Sequence, residues 1–177
     1  MGLVSVAPVS GLCRKGSRAM TTIAFDRNVI AWDSRIMNGV DEFYDSAQYS
    51  DKVRVHDGKI FASCGDAGML DFLIEWWEAG ARWDELPDYT DTSDDGKPSW
   101  ELLVITQYDR MIYTSGAKGA ILRPPPVFAI GSGSLAARAA MYCGRDPVGA
   151  VETAAALCVG TGGEIQFLEI NEHVSGE

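Results

Sequence analysis

The chain predicts an α+β domain: antiparallel sheets built from hairpins, with helices covering them. Two observations carry this. Short apolar runs joined by two- or three-residue turns fill much of the chain, and helical patterns concentrate towards its end. No internal repeat interrupts that order.

The elements follow in sequence. Residues 21–25 and 29–33 flank Asp26-Arg27-Asn28 and read as an antiparallel hairpin. Residues 49–56 and 59–64 flank Asp57-Gly58, the strongest short hairpin signal in the chain. A helix is expected from 68 to about 79, with Met69, Phe72, Leu73, Trp76 and Trp77 on its apolar face. Residues 81–99 turn polar and acidic, contain Pro87, Gly96 and Pro98, and read as a loop. Another strand pair, 100–107 and 110–115, turns at Tyr108-Asp109. A strand at 127–130 runs into Gly131-Ser132-Gly133-Ser134, followed by helices at about 135–143 and 147–158. Asp146 caps the second of these and Pro147 opens its first turn. A strand at 164–170 closes the domain.

Composition narrows the function. The 177 residues carry a net charge of −10, and without the three basic residues Arg14, Lys15 and Arg18 the charge is −13. Such an acidic chain is a poor ligand for nucleic acid or an anionic membrane. No apolar stretch approaches the roughly 18 residues that span a bilayer. The cysteines Cys13, Cys64, Cys143 and Cys158 show no C-x-x-C spacing, as expected of reduced thiols in a cytoplasmic protein.

Residues 1–20 read as a leader. Their basic residues follow the apolar run 3–9 instead of preceding it, unlike a secretory signal. Two readings stand: a short propeptide, or a start assigned upstream of the true initiator Met20. Both expose Thr21 after removal of Met20. A threonine at a free N-terminus holds a hydroxyl and an α-amine on one residue, and an amine titrating near 8 can take the hydroxyl proton at neutral pH. Asp33, in Ala31-Trp32-Asp33-Ser34-Arg35, and Lys52, in Asp51-Lys52-Val53-Arg54, are the candidate charged partners; an ordinary strand-end ion pair is the alternative.

Other motifs point elsewhere. Gly131-x-Gly133-x-x-Ala136 imitates a dinucleotide fingerprint, but a second helix follows where a βαβ unit needs a strand. Asp91-x-Ser93-x-Asp95-Gly96 imitates a calcium loop, but Leu102 occupies its twelfth position. The two histidines, His56 and His173, lie far from any convincing nucleophile, which favours an amine-based catalyst.

Taken in order, Thr-Thr-Ile at 21–23, Ala-x-Asp-x-Arg at 31–35, Lys52-Val53, Ala-x-x-Gly-Asp-Ala at 62–67, Ile-Gly-Ser-Gly-Ser at 130–134 and Gly-Thr-Gly-Gly at 160–163 resemble a proteasome β-type subunit. Within that superfamily the chain is similar to the short bacterial peptidase HslV and its phage and bacterial relatives. The resemblance covers residues 21–170 and implies a four-layer αββα sandwich of the N-terminal-nucleophile (Ntn) hydrolases. It implies Thr21 as nucleophile, Lys52 as the charge that eases its deprotonation, Asp33 as the carboxylate holding Lys52, and Ser132 as a hydrogen-bond partner near the amine. Ala62 stands where the family uses a glycine amide to stabilise the oxyanion. Ile36, Ile60 and Cys64 match pocket positions and suit a neutral or apolar residue before the cut.

The same resemblance makes the carbonyls of Ala155, Cys158 and Thr161 candidates for a structural sodium ion, with an ordinary helix end as the alternative. It requires no cofactor for catalysis. It implies a homo-oligomer of two stacked rings acting on peptides or unfolded protein. The polar loop 81–99 stands where HslV carries most of a helix, which leaves docking to its ATPase partner open. A catalytically weak ring-forming scaffold and a hydrolase of small amides are the competing readings.

Overall fold

The first hairpin is closed by Asp26. In the computed structural model, which describes residues 21–37, 43–45, 52–65, 68–82, 84, 100–114 and 120–174, β1 (Thr22–Phe25) pairs antiparallel with β2 (Val29–Asp33). The Asp26 carboxylate accepts the N–H groups of Asn28 and Val29 at 2.7 and 2.8 Å, which turns the chain over three residues. β10 (Phe128–Gly131) adds to β1 and β11 (Ile165–Glu169) adds to β2, giving a sheet ordered β10-β1-β2-β11.

A second antiparallel sheet runs β5-β6-β7-β8-β9, comprising Val53–His56, Lys59–Cys64, Glu101–Ile105, Arg110–Thr114 and Ala120–Leu122. Its first turn holds Asp57 at φ +48° and Gly58 at φ +63°, the double positive φ of a type I′ turn. The next turn is pinned by the Thr106 hydroxyl, which accepts the Asp109 N–H at 3.0 Å. A short pair, β3 (Arg35–Met37) with β4 (Phe43–Asp45), stands apart from both sheets.

Four helices complete the described residues: α1 (Met69–Glu78), α2 (Ser134–Tyr142), α3 (Pro147–Leu157) and the single turn α4 (Ile170–His173). The Asp146 carboxylate accepts the Gly149 N–H at 2.8 Å, the cap expected for α3.

Three buried clusters organise these elements. Ile23, Phe25, Ile30 and Trp32 of the first sheet meet Ile60, Ala62, Cys64, Leu103, Ile105 and Ile112 of the second. Small residues join α2 and α3 to the first sheet: Ala24, Ala31, Ala129, Ala137, Ala150 and Ala154. Aromatic residues join α1 to the second sheet, with Trp76 edge-on to Trp100 and Tyr113. Each large apolar side chain buried this way contributes about 1.5–3 kcal/mol, so these clusters hold the elements together.

Several expectations change. On α1, Phe72 is exposed while Leu70 and Ile74 are buried, because the face turned towards the sheet is rotated about the helix axis from the expected one, away from Phe72. Trp76 is buried, and Trp77 is half-buried with its indole N–H on the Tyr113 hydroxyl at 3.0 Å. Both pack between α1 and the second sheet. Ile170 opens α4 instead of ending the last strand. The strands β3, β4 and β9 have three residues each, too few to leave a periodic signal.

The leader 1–20, residues 49–51, Trp83 and residues 85–99 lie outside the described residues. Gly131–Gly133 does lead from a strand into a helix, but that strand pairs antiparallel with β1 and α2 is followed by α3. His56 forms a surface pair with Glu78 at 3.0 Å, tying β5 to α1. Among the described residues no helix is long and apolar enough to cross a membrane.

Candidate active site

The hairpin β1–β2 brings the start of one strand beside the end of the next. The Thr22 N–H donates to Asp33 Oδ1 at 2.8 Å. Lys52, just ahead of β5, reaches across from the second sheet and donates to the same oxygen at 3.0 Å. Its ammonium also donates to the Arg35 carbonyl at 2.7 Å. The other Asp33 oxygen accepts the Gly162 N–H at 3.0 Å. A single carboxylate thus gathers the first strand, the second sheet and the turn after α3.

This ion pair is buried: Asp33 has no exposed surface and Lys52 retains 6%. Burial pushes the Asp33 carboxyl above its ordinary value, opposed by the charge of Lys52 and the N–H groups of Thr22 and Gly162. Burial pushes the Lys52 amine below its ordinary value, opposed by Asp33. Both shifts express the same cost, removal of charge from water.

Thr21 immediately precedes Thr22, whose N–H the carboxylate holds, and is itself buried. Its carbonyl accepts the Ser132 N–H at 2.9 Å and lies 3.4 Å from the Ser132 hydroxyl. The expected serine therefore meets Thr21 at its carbonyl. Gly131 takes φ +89°, and a Cβ placed on it would stand 2.0 Å from the Thr21 carbonyl oxygen. Glycine is required there by close approach as well as by conformation.

Sequence reasoning missed several participants. The Thr22 hydroxyl lies 2.7 Å from the Thr161 hydroxyl and accepts the Gly133 N–H at 3.1 Å. Arg35 donates to the Val159 and Thr161 carbonyls at 2.9 and 3.3 Å, with its guanidinium against Gly162. Glu101 accepts the Gly131 N–H at 3.0 Å and the Cys64 thiol at 3.3 Å. Arg35 and Thr22 were visible within motifs, yet nothing in the sequence marks Glu101.

The remaining candidates are dispersed around this centre. Ala62 is buried on β6, opposite both Val53 and Leu103, and its methyl joins the core between the sheets. The adjacent Ser63 N–H donates to the Lys52 carbonyl at 2.9 Å. Ile60 and Cys64 share that strand, while Ile36 lies on β3. Burial, reinforced by Glu101, pushes the Cys64 thiol well above its ordinary value, so it stays protonated as a donor. Ala155 lies within α3. The Cys158 carbonyl already accepts the Thr161 N–H at 3.0 Å, and the Thr161 carbonyl accepts from Arg35. At these carbonyls the protein supplies its own donors, including a cationic one.

No protein-family model and no curated protein matches the sequence. Solved structures do match the fold. BPH from Thiobacillus denitrificans superposes with a TM-score of 0.59 at 21% identity, over 84% of this chain and 96% of that one. HslV from Trypanosoma brucei gives 0.61 at 19% identity, over 84% and 99%. BPH in complex with epoxomicin gives 0.61 at 18%, over 84% and 96%. The fold is that of the HslV and proteasome β-type proteins.

Proposed function

We propose that the protein is a threonine-type peptidase whose nucleophile is Thr21. The observation that carries this reading is the buried Asp33–Lys52 pair at 3.0 Å, whose carboxylate also holds the N–H of the residue following Thr21. A buried ion pair is a weak source of stability, because desolvation offsets its attraction. Its position beside a threonine that opens the domain gives it a use.

Removal of residues 1–20 would leave the Thr21 α-amine free. That amine accepts the hydroxyl proton while the Lys52 charge lowers the proton affinity of the group. The hydroxyl oxygen attacks the peptide carbonyl and forms a tetrahedral oxyanion; the Ala62 N–H expected to receive it is instead turned into the β6–β7 ladder, opposite Leu103. The C–N bond breaks, the departing amine takes the proton, and an ester to Thr21 remains. Water activated by the α-amine then hydrolyses that ester and restores the hydroxyl. Ser132 fixes Thr21 through its carbonyl, and of the three pocket candidates Ile36 is the one placed to favour a neutral or apolar residue, since Ile60 and Cys64 are buried between the sheets.

The three buried clusters support a four-layer αββα stack, with α2 and α3 on one outer face and α1 on the other. We further propose two stacked homo-oligomeric rings in the cytoplasm, enclosing the threonines and admitting only unfolded chains.

Peptide hydrolysis and covalent labelling test the assignment. Protein beginning at Thr21 is expected to cleave peptides and to gain the mass of one epoxomicin per subunit, mapped to Thr21. Thr21→Ala and Lys52→Met each remove hydrolysis, and combining them is no worse than either alone. Undiminished hydrolysis by Thr21→Ala overturns the reading; an inert wild type that still assembles replaces it with the scaffold.

A further inference from the structure

We propose that Glu101 is a positioning residue for Thr21, tying the open edge of one sheet to the other sheet directly behind the Thr21 carbonyl. Among the described residues β10 is an edge strand, with β1 as its ladder partner. Donors alternate along an antiparallel strand, and Ser132 donates inward to Thr21, so the Gly131 N–H points outward, where among the described residues no strand receives it. Glu101 Oε2 receives it at 3.0 Å. The same oxygen lies 3.3 Å from the Cys64 sulfur, and Cys64 faces Glu101 in the β6–β7 ladder.

The consequence is mechanical. Gly131 touches Thr21 so closely that its Cα cannot carry a methyl group, hence any displacement of Gly131 moves Thr21. Packing offers no alternative reason for an acid here. The neighbouring strand position, Cys64, belongs to the apolar core between the sheets, where an aliphatic residue would bury more surface. A carboxylate instead provides a charge-assisted acceptor, about twice as strong as a neutral one, for two donors at once.

The kinetic part of this inference rests on Thr21 being the nucleophile; the tether itself does not. The experiment therefore reads both. In Glu101→Ala, kcat per folded subunit, with folding measured by near-ultraviolet circular dichroism, is expected to fall about 10- to 100-fold, as misplacement of a reacting group does, with little change in KM. Glu101→Gln keeps an acceptor for Gly131 and should stay within about threefold of wild type. Exchange of the Gly131 amide hydrogen, followed by NMR, should accelerate in Glu101→Ala but not in Glu101→Gln. Wild-type kcat in Glu101→Ala, or equal losses in both variants, overturns the positioning role. If the wild type cleaves no peptide, the peptidase assignment fails by itself; unchanged Gly131 exchange in Glu101→Ala would then overturn the tether separately.

Discussion

Gly131 and Thr21 occupy the same space as closely as two residues can: a Cβ on Gly131 would lie 2.0 Å from the Thr21 carbonyl oxygen. Gly144 offers a matched control, since it has the same φ of +89° and nothing within 4 Å of its missing Cβ. Gly144→Ala should cost only the strain of a left-handed residue, about 1–2 kcal/mol. Gly131→Ala adds a backbone clash and should lose at least about 2 kcal/mol more, together with activity. Urea midpoints of the two variants check this, and equal losses would refute the close approach.

The buried pair imposes opposite pH slopes on stability. The Asp33 carboxyl is raised, so the folded state binds its proton more tightly, and stability falls as pH rises from 3.8 through the raised value. The Lys52 amine is lowered, so the unfolded state binds more protons between the lowered value and 10.5, and stability rises with pH across that window. The double variant Asp33→Asn with Lys52→Met should lose both slopes. Denaturation of wild type and double variant across pH gives the difference directly; parallel curves would contradict the assignment.

Thr161 completes a buried hydroxyl pair. Thr161→Val removes the partner 2.7 Å from the Thr22 hydroxyl and keeps nearly the same volume. It should destabilise by about 1–3 kcal/mol, the cost of a buried polar group left unmatched. Thr161→Ser, which retains the hydroxyl, should recover most of that loss in the same denaturation experiment.

Processing and assembly are read by mass. Protein expressed from its native gene is expected to begin at Thr21 by intact-mass spectrometry. Light scattering should give a multiple of about 17 kDa, the mass of one trimmed subunit at roughly 110 Da per residue. A monodisperse monomer that cleaves peptides would dismiss the ring, and a fully active chain beginning at Met1 would dismiss the amine as base.

Local chemistry made much of the fold legible in the sequence. The hairpins at Asp26 and Asp57-Gly58, the cap at Asp146 and the helix stops lie where their residues demand, because each is decided within four or five positions of chain. The ordered motifs likewise singled out Thr21, Asp33, Lys52 and Ser132, and their resemblance to the proteasome β-type pattern agrees with the fold. Only the tertiary structure decided what these residues touch. Asp33 and Lys52 are nineteen positions apart and meet because the two sheets face each other. Thr22 and Thr161, 139 positions apart, meet because α3 returns the chain to the first strand. Glu101 gains its role from an N–H left open at a sheet edge, and an edge exists only once strands have chosen their neighbours. Periodicity and turn chemistry report short-range preferences, whereas such pairings are fixed by sheet order and close packing, which no window of sequence contains.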